Sequence, residues 1–121
     1  MVGPEDPTEH ALVVKAIVLG RRFRGCCEWK ESAARRVREK PPCEGLTPEG
    51  IKELLVQHLE QNGDLLQVRE KREEHADHRF YYKAVIAVPG FVRGLFVEVV
   101  VVDDDSDCPA VLIVNAHEQR G

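Results

Sequence analysis

The sequence predicts an α+β fold: a strand, two helices, then a four-stranded antiparallel meander, with the helices packed on one face of the sheet. Three observations carry this. The apolar period changes from 3.6 to 2 after Asn62 and Gly63. Just before that change, Ile51, Leu54, Leu55, His58 and Leu59 fall on one face of a helical segment. After it, short polar links separate the extended runs, which favours antiparallel neighbours. At 121 residues the chain is long enough for one core and too short for two of ordinary size, so a single domain is expected over residues 11–121 behind a loose leader of residues 1–10.

The leader is assigned because Pro4, Glu5, Asp6, Pro7 and Glu9 give it no apolar period. Ala11 to Leu19, reading ALVVKAIVL and closed by Gly20, suits a largely buried first strand. Arg21 to Trp29 has no clear period and contains Gly25, so it reads as a connection or an irregular edge. Glu31 to Lys40 holds good helix formers and is stopped by Pro41 and Pro42. The second helix starts at Thr47, whose hydroxyl can cap, with Pro48 at the first helical position. Four strands follow: Leu65 to Arg72, Arg79 to Val88, Leu95 to Asp103 and Ala110 to Ala116. The third of these, LFVEVVVVD, is so apolar that it is expected to be central and covered on both faces.

Composition narrows the function classes. An apolar fraction of 43% with 31% charged residues lies in the globular range. No apolar run, Val99 to Val102 among them, approaches the length of a bilayer span, so no membrane association is expected and a cytoplasmic location is. Cys26, Cys27, Cys43 and Cys108 are read as free thiols. The adjacent pair lacks the gap of a zinc knuckle, and the Asp103, Asp105, Asp107 series lacks the glycine and the closing glutamate of a calcium loop. No metal and no cofactor are therefore expected. The net charge of -4 hides a basic stretch from Lys15 to Lys40, where nine Lys or Arg face three acids, a local excess of six positive charges. Arg35 and Arg36 in that stretch are candidates to hold a phosphate backbone, against the plainer reading of a solvated basic face.

Histidine is the first place to look for acid–base chemistry, because imidazole titrates near neutrality. His10 and His58 read as leader and boundary residues, and His75 and His78 as turn residues. His117 stands apart: it follows Asn115 by two at the end of a buried strand, so both should leave the same face of a rigid support. Arg79, Tyr81 and Lys83 alternate along one strand, and Arg69 and Lys71 can join their face if the hairpin pairs them suitably. Metal-independent RNA cleavage needs a proton acceptor for the 2′-hydroxyl, a proton donor for the leaving oxygen and cations at the phosphorus centre. His117, Arg79, Tyr81 and Lys83 are the catalytic candidates, with Arg69, Lys71, Arg35 and Arg36 as substrate-binding ones. The plainer reading is an exposed sheet face lined with soluble, strand-compatible side chains.

The element order, with Arg79, Tyr81, Lys83 and His117 placed on the meander, resembles the RelE-like small ribonuclease toxins of the barnase, EndoU, colicin and RelE superfamily. The likeness spans roughly Ala11 to His117 and rests on layout and residue type. It implies that Arg69, Lys71, Arg79, Tyr81 and Lys83 bind or activate RNA, that His117 is an acid or base, and that an antitoxin-like protein is a partner. Such toxins are usually basic, and this chain is not. The alternative is a non-enzymatic protein- or nucleic-acid-binding module that forms a homodimer through its sheet.

Overall fold

Helix formation begins earlier than the apolar run suggests. In the computed structural model, which describes residues 3–42, 45–73 and 77–119, Ala11–Leu19 is the body of helix α1 (Pro7–Leu19) and not a strand. Pro7 to His10, assigned above to the leader, form its first turn. The Asp6 carboxylate accepts the Glu9 amide at 3.0 Å, and Pro7 supplies a preset φ at the first helical position. Val13, Ala16 and Ile17, spaced i, i+3, i+4, are the residues α1 buries. A nearly all-apolar run fits either period, so the cap decides and the β-branched propensity of its valines is overridden.

A short 3₁₀ turn (Arg24–Cys26) leads into β1 (Cys27–Trp29), within the segment read as a connection. Helix α2 (Glu31–Glu39) buries Ala33, Ala34 and Val37 and turns its arginines outward. Helix α3 (Pro48–Glu60) starts as its cap predicts, with the Thr47 hydroxyl accepting the Gly50 amide at 3.0 Å. Asn62, at φ 62°, takes the left-handed conformation that lets the chain leave it. Strands β2 (Leu66–Arg69), β3 (Phe80–Ile86), β4 (Leu95–Asp103) and β5 (Ala110–Glu118) follow.

The sheet is five-stranded and mixed, in the order β1-β5-β4-β3-β2. The four C-terminal strands run antiparallel in sequence order, and β1 adds parallel to β5 through Cys27↔Val111, Glu28↔Leu112 and Trp29↔Ile113. Three helices, not two, pack with the sheet into one core cluster. It includes Val13, Ile17, Val37, Ile51, Leu55, Tyr82, Val97, Val99 and Ile113. β4 is central as expected. Only one of its faces belongs to that cluster; Phe96, Glu98 and Val100 point to the other, helix-free face, the open face, where Glu98 and Val100 are nonetheless buried at the strand's centre. Between β3 and β4, Gly94 sits at φ +86°, where a Cβ would stand 2.7 Å from the Ile86 carbonyl oxygen, so glycine is required there.

A polar strap ties the N-terminal turn to the sheet. The Asp6 amide donates to Gln67 Oε1 at 2.7 Å, and Gln67 Nε2 donates to the Asp6 carbonyl at 2.8 Å and to the Tyr82 hydroxyl at 2.7 Å. That hydroxyl in turn donates to Glu9 Oε1 at 2.8 Å, and burial pushes the phenol's pKa up. Tyr82→Phe keeps the ring and strips both bonds, so urea unfolding should show a loss of about 1 to 2 kcal/mol with an unchanged slope. An unaltered midpoint would mean that water replaces the hydroxyl without cost. No described helix is long and apolar enough to cross a membrane.

Candidate functional site: the open sheet face

Alternation along a strand puts successive side chains on opposite faces, and β5 breaks it once. Val111 and Ile113 face the core, so simple alternation would send Asn115 and His117 there too. A bulge intervenes: Val99 pairs with Ile113, but Glu98 pairs with Asn115, leaving Val114 as the extra residue. The phase shifts by one, Ala116 packs against the core, and Asn115 and His117 take the open side. There the His117 ring stacks on Phe96, its cross-strand partner, with centroids 4.8 Å apart. His117 Nδ1 lies 2.8 Å from the Glu118 carbonyl oxygen, which can only accept. The proton of the neutral ring therefore sits on Nδ1, and Nε2 keeps its lone pair.

At the centre of the same face is Glu98, only 5% exposed. Its register neighbours are Lys83 on β3 and Asn115 on β5. Arg72 folds back from the end of β2 and reaches Glu98 Oε2 through Nη2 at 2.6 Å. It also grips Glu70 through two bonds of 2.8 Å, and its guanidinium lies 4.9 Å from the centre of the Tyr81 ring. Glu70 first, and Glu98 second, hold the Arg72 guanidinium even further above its ordinary pKa. A buried carboxylate is tolerated only when paired, and Arg72 supplies the pairing. Beside His117, α2 and the end of β5 enclose a cavity of about 500 Å³ walled by Arg36, Val37, Glu39, Lys40, Asn115 and Ala116.

The sequence candidates divide accordingly. Tyr81, Lys83 and His117 lie on the open face, Arg36 lies beside His117, and Lys71 lies in the shallow hollow next to Tyr81 and Arg72. Lys83 and His117 are two strands and two residues apart, about 10 Å across and 7 Å along the sheet. Arg79 and Arg69 do not join them. Arg79 lies just ahead of β3 and turns to Asp6 at 2.6 Å and Glu9 at 3.8 Å, while Arg69 pairs with Glu5 at 2.5 Å. Both guanidinium groups lie over Phe80, whose side chain belongs to the core. Asp6 is held below its usual carboxylate range, chiefly by the Glu9 amide and then, against some burial, by Arg79. Arg35 is exposed.

Of the other histidines, His10 binds the Leu65 carbonyl oxygen at 2.7 Å and His58 that of Asp64 at 2.9 Å, so both have structural partners. His75 and Cys43 lie outside the described residues. Glu70, Arg72 and Glu98 escaped the sequence reading. Glu98 had a signal, since a lone acid inside LFVEVVVVD must find a partner if the strand is central. Among the described residues no cluster of three or more His, Cys, Asp or Glu could hold a metal ion. Comparison of the chain with protein-family models, with curated proteins and with solved structures returns no match.

Proposed function

We propose that the chain is a small metal-independent endoribonuclease of toxin type, acting in the cytoplasm with its open sheet face as the catalytic surface. One observation carries the reading: Glu98 and Lys83 are cross-strand partners, and the β5 bulge brings His117 to the same face. Glu98 and His117 sit one strand and two residues apart, about 8 Å between Cα atoms, a span that admits a phosphodiester between their side chains. In this reading one of the pair takes the 2′-hydroxyl proton and the other protonates the departing 5′-oxygen, leaving a 2′,3′-cyclic phosphate. Lys83 and Arg72 offset the charge that builds on the phosphorus centre. Arg36 and Lys40 hold a neighbouring phosphate at the cavity rim, and Tyr81 offers an aromatic face for an unpaired base.

The test is cleavage of a mixed labelled RNA in EDTA by the purified protein, beside His117→Ala, Glu98→Gln and Arg79→Ala. The first two should lose roughly 10²- to 10⁴-fold in rate while keeping the parent's circular dichroism. Arg79→Ala should cleave like the parent, because that side chain is engaged by Asp6 on another surface. Absence of cleavage by the parent at high concentration would defeat the proposal. It would favour a second reading, a binding module that dimerises through its sheet or meets an antitoxin-like partner there. Leu66 and Val85, 51% and 41% exposed on the same face, favour that reading, and light scattering would then report a dimer.

A further inference from the structure

Two of the chain's cysteines meet in space. Cys26 ends the 3₁₀ turn ahead of β1, and Cys108 ends the acidic loop ahead of β5. Because β1 and β5 are parallel, both residues enter the ladder from the same end. Their Sγ atoms lie 3.9 Å apart. Cys26 is 2% exposed yet outside the main core cluster, whereas Cys108 is exposed. Cys27 faces the other way, into that cluster, and burial pushes its thiol up to about 11. Burial also raises the Cys26 thiol, so the exposed Cys108 is the sulfur that reacts first.

We propose that Cys26 and Cys108 form a reversible intramolecular disulfide when the chain meets a low-molecular-weight disulfide, stapling the β4–β5 loop to the entry of β1. The sulfurs must close by roughly 2 Å, which the exposed Cys108 turn can supply. The Cys108 thiolate attacks the small disulfide, a bond forms between Cys108 Sγ and one of its sulfurs, and the other leaves as thiolate. Cys26, losing its proton, then attacks Cys108 Sγ and expels the second small thiolate. The two released thiolates take up the two protons, so two small thiols are produced and the protein is oxidised by two electrons. The closed loop contains α2, α3 and β1 to β4, and it tethers the three-residue β1 ladder to the rest of the sheet.

The experiment treats the full chain carrying Cys43→Ser with oxidised glutathione and follows intact mass, linked peptides and thermal unfolding. The expected product has lost two hydrogen atoms and carries no glutathione. Fragmentation of the linked tryptic peptide should place the bridge on Cys26 and not on Cys27. The melting temperature should rise on the order of 10 °C and return on reduction. Cys108→Ser should melt like the reduced parent and show no oxidative rise, and Cys26→Ala should stop at the glutathione adduct on Cys108. A stable adduct in the parent, a bridge through Cys27, or no reaction would overturn the proposal.

Discussion

Arg72→Met should destabilise the fold by about 3 kcal/mol, the lower end of the cost of breaking a buried ion pair. Methionine keeps an unbranched stem against Tyr81, so the loss isolates the charge. Glu98, its side chain 6% exposed, loses the guanidinium that pairs it, while Glu70, 1% exposed, keeps the Lys71 and Arg72 amides on Oε1. Arg72 itself keeps 41% of its side-chain surface in water, which is why the upper end of the range is not expected. Arg72→Lys should fall between the two, because an ammonium cannot make the two-pronged contact with Glu70. Adding Glu98→Gln to Arg72→Met should restore part of the loss, since a neutral amide strands less charge. Urea midpoints for the three variants provide the measurement. A parent-like midpoint for Arg72→Met would show that the ion cluster does not hold the turn onto the sheet.

Gly20→Ala should cost about 2 to 3 kcal/mol for a different reason. Its φ of -61° is ordinary helix geometry, so the backbone would accept alanine. Space would not: the added carbon would stand 2.4 Å from Cys27 Cβ and 3.2 Å from the Cys27 amide nitrogen. Either α1 or β1 must retreat, and β1 holds by only three register pairs. The strand should therefore give way, which makes the loss local as well as global. Hydrogen exchange at the Lys30 amide, bonded at 2.9 Å to the Ile113 carbonyl, should quicken more than exchange in β4. A melting curve that matches the parent would sink this account of why the position is glycine.

Both effects sit at places the sequence did not announce, and the reasons are physical. Helix α3 and strand β4 were legible because local chemistry and long-range packing agree there: a threonine cap, a proline start and an apolar stripe in one case, an unbroken valine run in the other. The first apolar segment was misread because ALVVKAIVL is apolar at nearly every position and reveals neither period. The signal that would have resolved it was the Asp6, Pro7, Glu9 pattern ahead of the run, taken as a leader. β1 is too short to carry a period and exists because β5 offers it an edge. In the site, the alternation argument placed Tyr81 and Lys83 on one face, but Arg79 lies just outside the strand and follows the acids of the α1 turn. Arg72 is a chain reversal away from the residue it serves, a relation that spacing along the chain does not encode.

The extra residue in β5 gives the strand something like a reading frame. Upstream of Val114 the odd-numbered positions are inward; downstream they are outward, and one insertion makes the difference. A substitution at His117 changes one side chain. Forcing Val114 into the ladder, with the bulge ironed out, would turn over every residue after it, driving an imidazole and a carboxamide toward the helices and bringing Ala116 to the surface. Removing Val114 would instead leave an unbroken alternation in which Asn115 still meets Glu98 and His117 still meets Phe96. The same side chains in the same order can thus build this surface or bury it, according to whether one residue is left out of the ladder.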